Sequence, residues 1–489
     1  MESTNLTEGN VKRVLLSFAV PFFISYAMQA AYGAVDLFVV GKFCQTSAVS
    51  AVSIGSQAMQ LITSFVVGIS MGTTVLIGRS SGENDRAMIK KTIQSSVWIL
   101  IILSFVLTLL MLLNGQTIAV WMQTPAKALA ETKTYIHICS IGIPFIVMFN
   151  VNAAIMRGMG NSKTPMQIVG ISGLCNVVGD FILSGMLHNG VAGVAVATAA
   201  SQAVSALISL IALRRLESAS SRIALEHPDS GSGRIALEHP DSDSCRIAYE
   251  RQNPDSGHFL LAPDKFCTKK IFAVGLPIAM QDTLINISFM ILTLVANRRG
   301  LEASSAVGIV EKLISFMFLV PSSMMSAVST FTAQNSGAHK YDRIHECIIF
   351  SIVVTAGFGA LMCLISWTIP DILTSIFTKD PRVIEYAGEY IRSYSIDCIL
   401  VGVTFALNGY LNGIGNSLVT FIHNTLAIFA VRIPAAFLLS SMFPDTMFPM
   451  GFASPLGSLF SIIFLVIYFS VKNKKLNDVG VKSSNIPVK

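Results

Sequence analysis

Apolar residues run in stretches of ~20 to 28 positions, broken by short polar loops, and none of the stretches shows the ten-residue alternation of a barrel strand. Each is long enough to cross a bilayer core as a helix rising ~1.5 Å per residue. Twelve spans can be drawn, at roughly 14–40, 48–77, 92–114, 132–156, 164–187, 191–213, 270–297, 304–332, 346–368, 387–411, 416–441 and 448–471. The fold class that follows is an all-α integral membrane protein.

The spans fall into two sets of six. Ala51-Val52-Ser53-Ile54 returns as Ala306-Val307-Gly308-Ile309, Ser81-Gly82 as Ser336-Gly337, and Gly158-Met159-Gly160-Asn161-Ser162 as Gly413-Ile414-Gly415-Asn416-Ser417. All three matches share one offset of 255 residues. An even number of spans per half inserts both halves in the same orientation, related by an axis along the membrane normal. Pro21 and Pro277 stand at matching places in the first helix of each half, where a proline frees a backbone carbonyl and lets a helix bend. The expected domains are an N-terminal six-helix lobe (1–215), a linker (216–268), a C-terminal six-helix lobe (269–471) and a tail (472–489). Within the linker, Arg222-Ile223-Ala224-Leu225-Glu226-His227-Pro228-Asp229-Ser230 recurs as Arg234-Ile235-Ala236-Leu237-Glu238-His239-Pro240-Asp241-Ser242. Its polar, Pro-Asp-Ser-broken composition predicts disorder, and its spaced histidines form no close ligand cluster.

Composition sharpens this picture. Of 489 residues, 52% are hydrophobic and only 13% charged, with a mean hydropathy of +0.64, which excludes a soluble protein. The net charge of +6 is gathered in loops and ends, so it reports on topology and not on nucleic acid. Lys12, Arg13, Arg79, Arg86, Lys90, Lys91, Arg157, Lys163, Lys340 and Arg343 fall in alternate loops, which predicts cytoplasmic termini, a cytoplasmic linker and a multi-pass protein of the cell inner (plasma) membrane. No cleavable signal is visible. The eight cysteines form no C-x-x-C pair and read as small apolar residues, without a disulfide or metal framework.

The polar residues inside the spans carry the chemistry. Asn176 and Asp180 are four residues apart and share one helix face. A charge at that depth costs about 2.5 to 3.5 kcal/mol and normally faces a cavity or ion path, the alternative being a buried group held by helix–helix hydrogen bonds. Counting rise per residue puts Asp36, Asp180 and Thr198 at similar depth towards the outer side, on three different helices. Two carboxylates with an amide and a hydroxyl at low dielectric either hold a proton or recruit a hard cation such as Na+; oxygen-only ligands offer little to zinc or copper. By the offset, Asn176 and Asp180 meet Val431 and Ala435, so coupling is expected in the N-terminal half. The C-terminal half has its own deep ionisable residues, Asp282, Glu311 with Lys312, and Arg432. Glu311 and Lys312 could neutralise each other, and Arg432-Ile433-Pro434 could be an interfacial anchor.

Enzyme signals are absent: there is no G-x-x-x-x-G-K-[ST] loop and no G-x-S-x-G elbow, and His345-Glu346 is followed by Ile349 where a zinc motif needs histidine. No organic cofactor is expected.

The chain resembles the multidrug and toxic compound extrusion (MATE) transporters over nearly its whole length apart from the linker and tail. The motifs are Val35-Asp36 with Val40-Gly41-Lys42, Arg157-Gly158-Met159-Gly160-Asn161, the Asn176/Asp180 pair, Ala197-Thr198 with Ser201-Gln202, and Arg432-Ile433-Pro434. The prokaryotic branch named for a DNA-damage-inducible member is the most similar. That resemblance implies a cation site of Asp36, Asn176, Asp180 and Thr198, able to take H+ or Na+, and a drug cavity touching Gln29. An amide that the branch carries in the fourth helix falls on Ala153, beside Asn152. Asn152, Asp282 and Glu311 complete the expected cavity. The implied activity is antiport of amphipathic cationic compounds by alternating access, by a monomer. Two other readings stand beside it, a lipid-linked oligosaccharide flippase of the same superfamily and a channel or membrane receptor. The acidic polar set favours a cationic cargo over a pyrophosphate, and two similar halves suit a rocking carrier better than a continuous pore.

Overall fold

A computed structural model of the chain describes residues 4–226 and 262–478. Its helices are α1 (Val11–Phe43), α2 (Thr46–Gly82), α3 (Arg86–Trp121), α4 (Leu129–Ile141), α5 (Ile143–Gly158), α6 (Lys163–Asp180) and α7 (Gly190–Glu226) in the first half. The second half holds α8 (Lys265–Asn297), α9 (Leu301–Met317), α10 (Leu319–Gly337), α11 (Tyr341–Thr368), α12 (Pro370–Ser375), α13 (Pro381–Tyr394), α14 (Ile396–Gly413), α15 (Ser417–Leu426), α16 (Ile433–Met442), α17 (Phe448–Gly451) and α18 (Ala453–Asp478). Ten helical stretches among the described residues are long and apolar enough to cross a membrane, and two bent pairs bring the number to twelve. The protein is an all-α membrane protein, and every predicted span falls on helix, two of them on bent pairs and the tenth across the break between α13 and α14.

Caps begin the helices where the sequence turns polar. Asn10 accepts from Arg13 N at 3.2 Å, Asp85 from Met88 N at 2.9 Å, and Asp264 from Cys267 N at 2.8 Å, each satisfying a first-turn N–H that would otherwise be orphaned. Pro21 and Pro277 lie inside continuous helices, α1 and α8, and do not break them. Sharp bends fall between α4 and α5 (48°) and between α9 and α10 (41°), just ahead of Pro144 and Pro321, each near the start of its new helix. A proline early in a helix lacks only a donor that has no partner there, so it fixes the new direction at little cost. The tenth predicted span is also interrupted: α13 ends at Tyr394 and α14 starts at Ile396.

The repeat governs the backbone as well as the sequence. Left-handed residues recur in register, Asn84 (φ 56°) with His339 (57°) and Gly160 (85°) with Gly415 (81°). Where the halves meet, Gly82 and Gly337 face each other's helix: a Cβ on Gly82 would overlap Gln334 O, and one on Gly337 would overlap Arg79 O. Only hydrogen fits at either position. Further close approaches join α2 to α8 at Gly72 and Gly275, and Tyr26 Oη lies 2.9 Å from Ser326 Oγ between α1 and α10. Gln334 Nε2 donates to Gly158 O at 2.8 Å. All these inter-lobe contacts lie on the side that carries the N-terminus.

Most of the stretch assigned to the linker, residues 227–261, lies outside the described residues, as do residues 479–489 of the tail. The assigned boundaries sit inside helices, since α7 reaches Glu226, α8 starts at Lys265, and α18 continues past Val471 to Asp478.

Candidate cation-coupling site

Three helices build the site, and small residues let them approach. On α6, a Cβ on Gly173 would press on the Tyr32 ring of α1 at 3.1 Å, and a Cβ on Gly179 would press on Ala197 Cβ of α7 at 2.9 Å. Asn176 lies between those two contacts, and Asp180, one turn after it, directly follows the second. The seam therefore brings α1 and α7 against the polar face of α6. Immediately after Asp180 the helix widens into a π turn, Phe181–Met186, a departure common at functional sites.

Asp36, Asn176 and Asp180 are buried, with exposures of 7%, 2% and 0%, and Thr198 is half-buried. The carboxyls of Asp36 and Asp180 lie within hydrogen-bonding reach of one another. Asn176 Nδ2 donates to Thr198 Oγ1 at 3.4 Å. Asp36 Oδ1, both carboxyl oxygens of Asp180 and Asn176 Oδ1 are buried, and no amide, hydroxyl or cationic group among the described residues donates to them. Four acceptor oxygens without a donor are costly at low dielectric. Such a cluster is stabilised by a proton shared between the carboxyls or by a cation with oxygen ligands. Among the described residues there is no group of three or more His, Cys, Asp or Glu side chains placed to hold a metal ion. Two carboxyls with an amide and a hydroxyl fit a weakly held monovalent cation or a proton better than a tightly chelated one.

Sequence reasoning missed the walls of this pocket. The charge of Asp36 acts on Tyr32 and Tyr135, and the charges of both aspartates act on Cys139. Tyr135 Oη lies 3.2 Å from Ser56 Oγ, and Cys139 Sγ lies 3.9 Å from Ala195 O. Tyr135 and Cys139 are one turn apart on α4, so the spacing was legible; their nearness to Asp36 comes only from the packing of α4 against α7 and α2.

The expected cavity residues sit on four helices, α1, α5, α8 and α9. Asn152 is buried and turned into the lobe, donating to Ser209 Oγ at 3.0 Å, so it is a helix–helix tie between α5 and α7. Gln29 is half-buried on α1. Asp282 is half-buried on α8, and Glu311 accepts from Thr293 Oγ1 at 3.0 Å. Glu311 and Lys312 do not pair: Lys312 is exposed, and the described ion pairs are Arg79–Glu83 and Arg382–Glu385. Glu311 instead lies within the field of Arg432, as does Asp397, a buried carboxyl that sequence reasoning passed over. Arg432 is no interfacial anchor. Its guanidinium stacks over Phe289 at 4.5 Å from the ring centroid and donates to Tyr394 Oη at 3.3 Å.

Comparisons with known proteins agree with this architecture. The MatE family model matches twice, over residues 21–182 and 277–438, one match per lobe. The chain is 21% identical over 469 residues to the probable multidrug resistance protein YpnP of Bacillus subtilis, covering 96% of this chain and 97% of that one. It is 22% identical to the multidrug export protein MepA of Staphylococcus aureus over 434 residues, 88% of each chain. Among solved structures, a MATE transporter in a bent conformation superposes with a TM-score of 0.82 at 17% identity, covering 99% and 100% of the two chains. An outward-facing MATE family transporter of the MOP superfamily superposes at 0.81 and 18% identity, covering 97% and 99%. With both lobes matched by the same family model and the fold matched end to end, the chain belongs to the MatE family of membrane transporters, which are not enzymes.

Proposed function

We propose that this protein is a secondary active multidrug exporter, in which an inward gradient of H+ or Na+ drives export of amphipathic cationic compounds by alternating access. The observation that carries this reading is the set of four buried oxygens on Asp36, Asp180 and Asn176 that lack a donor, on helices whose lobe is duplicated without them. A site of that kind gains a cation or proton from solution and binds it with different affinity as the lobes move, and only differential affinity shifts a conformational equilibrium. Relatives named for multidrug resistance or export support the cargo class. The residue pattern at Asp36, Asn176, Asp180 and Thr198 supports membership of the DNA-damage-inducible-type branch.

The decisive test is export of a fluorescent cation from proteoliposomes with a pH gradient or a Na+ gradient imposed separately. Export under one gradient and none without it supports antiport and names the ion. Flux that follows the cargo gradient alone would indicate a channel, and transport of a lipid-linked anion in place of a cation would indicate the flippase. Topology is tested in the same system. Alternate clustering of Lys and Arg supports cytoplasmic ends in the plasma membrane. Native Cys267 does not report sidedness because it is buried against Thr92 and Met88, with its sulfur 3.7 Å from Thr92 Oγ1 and 3.6 Å from Met88 Sδ. Cys245 lies outside the described residues. A cysteine placed at exposed Lys163 is the better reporter, and labelling it from outside with an impermeant reagent would overturn the proposed orientation.

A further inference from the structure

The seven residues before α1 bind both lobes, and they do so through their backbone. Thr4 N donates to Gly160 O of the N-terminal lobe at 3.1 Å. The rest of the arm is held by the C-terminal lobe. Lys340 Nζ donates to Thr7 O at 2.8 Å, and Asn335 Nδ2 to Leu6 O at 3.1 Å. Arg343 spreads its fork over three carbonyls, Nη1 to Gly9 O at 2.6 Å and Nη2 to Glu8 O at 3.0 Å and Leu6 O at 3.2 Å, while its Nε donates to Asn335 Oδ1 at 3.1 Å. Leu6 is fully buried in a cluster with Phe18, Phe22 and Phe331. A Cβ on Gly160, whose φ is +85°, would come within 2.5 Å of Thr4 O, so this loop has the shape the arm requires.

The repeat supplies an internal control. The lead into α8 also crosses to the opposite lobe, but among the described residues it is tied there through a serine: Asp264 N donates to Ser95 Oγ at 3.1 Å, and Ser95 Oγ donates to Asp264 O at 3.4 Å. Two cations on carbonyls give charge-assisted bonds of roughly twice the strength of neutral ones, and a guanidinium fork adds geometric selectivity. If the arm merely anchored α1, bonds to its own lobe would suffice. Its cationic bonds run to the other lobe, on the same side as the Gly82–Gly337 and Gln334–Gly158 contacts.

We propose that Thr4–Asn10 is a conformational latch, which holds the two lobes together at the N-terminal end and must release from Arg343 and Lys340 before they part there. The inference rests on the alternating-access reading above. Release would lower the barrier to the opposite-facing state without touching Asp36 or Asp180.

The test uses the full-length protein in nanodiscs, in a cysteine-free background, with spin labels at Lys163→Cys and Asp342→Cys, one on each lobe. With the native arm a single short distance is expected. Arg343→Gln should add a longer distance and raise the ratio of parted to joined lobes by at least on the order of tenfold, because it removes the guanidinium that donates to three arm carbonyls. Deleting residues 2–9 should raise it further. An unchanged distribution in a monodisperse Arg343→Gln sample would overturn the proposal. A second measurement keeps the four hydrogen bonds of Arg343 and replaces the Lys340–Thr7 bond with a covalent tie. Joining Thr7→Cys to Lys340→Cys with a short bifunctional maleimide should abolish proteoliposome export, whereas either single cysteine treated alike should not. Full export by the cross-linked protein would overturn the latch. Because the distance measurement needs neither cargo nor coupling ion, failure of the latch is distinguishable from failure of the transport reading.

Discussion

The two lobes share a backbone but solve the problem of buried charge in opposite ways. In the N-terminal lobe, Asp36 and Asp180 face each other, and among the described residues no group donates to Asp36 Oδ1 or to either carboxyl oxygen of Asp180. In the C-terminal lobe, Glu311 and Asp397 lie within the field of Arg432 without forming an ion pair among the described residues, Arg432 is held by Tyr394 and Phe289, and Asp397 Oδ1 and Arg432 Nε are buried without a hydrogen-bond partner. One cluster has a buried cation within its field, and the other has none donating to it among the described residues; on the proposed function, the second takes its counter-charge from solution. A self-compensated cluster is a structural element or a binding surface; an uncompensated one responds to the concentration of ions or protons. On the proposed function, the duplication separates packing, which both lobes share, from coupling, which is assigned to the differences between them.

Several substitutions would break or sharpen that contrast. The largest effect is expected from Asp36→Asn and Asp180→Asn. Each should abolish gradient-driven export in proteoliposomes while leaving expression and gel-filtration behaviour intact, because amides keep the shape but no longer bind a cation as a pair. Next comes Arg432→Gln, which would convert the second cluster into an uncompensated one. Leaving one partner of a buried charged group alone costs about 3 to 5 kcal/mol, so the variant should lose thermal stability in detergent. Adding Asp397→Asn should restore part of it, with a coupling energy of about 0.5 to 3 kcal/mol in the double-mutant cycle. Additive losses would show that the C-terminal groups do not compensate one another.

Smaller effects follow. Thr198→Ala removes a hydroxyl and no charge, so it should weaken export by roughly two- to tenfold, in line with about 0.5 to 1.5 kcal/mol for a neutral hydrogen bond. Asn152→Ala should leave cargo preference unchanged and lower stability by about 1 kcal/mol, because Asn152 ties α5 to Ser209. The smallest effect concerns the cap of α8. The Cys267 N–H donates to Asp264 and, with burial of little consequence there, holds its carboxyl below the usual carboxylate range. Its stabilisation is therefore complete above the ordinary aspartate value of about 3.9 and is lost as pH falls through the lower folded value. Asp264→Asn keeps a capping oxygen and should erase that acid-side pH dependence of thermal stability, while Asp264→Ala should cost about 0.5 to 2 kcal/mol at neutral pH.

Much of this was legible in the chain. The twelve spans follow from uninterrupted apolar length, and the pairing of halves follows from Gly82 with Gly337 and Gly160 with Gly415, whose backbone roles the structure repeats in register. Asp36, Asn176, Asp180 and Thr198 were visible because a polar group in an apolar span stands out against its surroundings. What stayed hidden needs side-chain direction. Asn152 stands out equally, yet it points at Ser209, and no single-helix pattern distinguishes a tie from a lining residue. Asp397 lies only two residues into α14, where a carboxylate resembles an ordinary helix start, and only packing reveals that it is buried near Arg432. Lys312 was adjacent to Glu311 in sequence, but neighbours on a helix point about 100° apart, and the counter-charge came from Arg432 instead. The breaks near Pro144 and Pro321 were missed because their prolines stand at the start of a new helix, which apolar length alone does not reveal.

The central claim is that Asp36 and Asp180 take up the coupling cation as one unit. Its most direct test is a double-mutant comparison of ion-driven export: Asp36→Asn, Asp180→Asn and the two together, each reconstituted and driven by the gradient that supports the native protein. The account predicts that either single substitution removes coupled export and that the double variant is scarcely worse, the non-additivity expected of groups sharing one bound ion. Full ion-driven export by either single variant, or independent losses that multiply in the double variant, would contradict it.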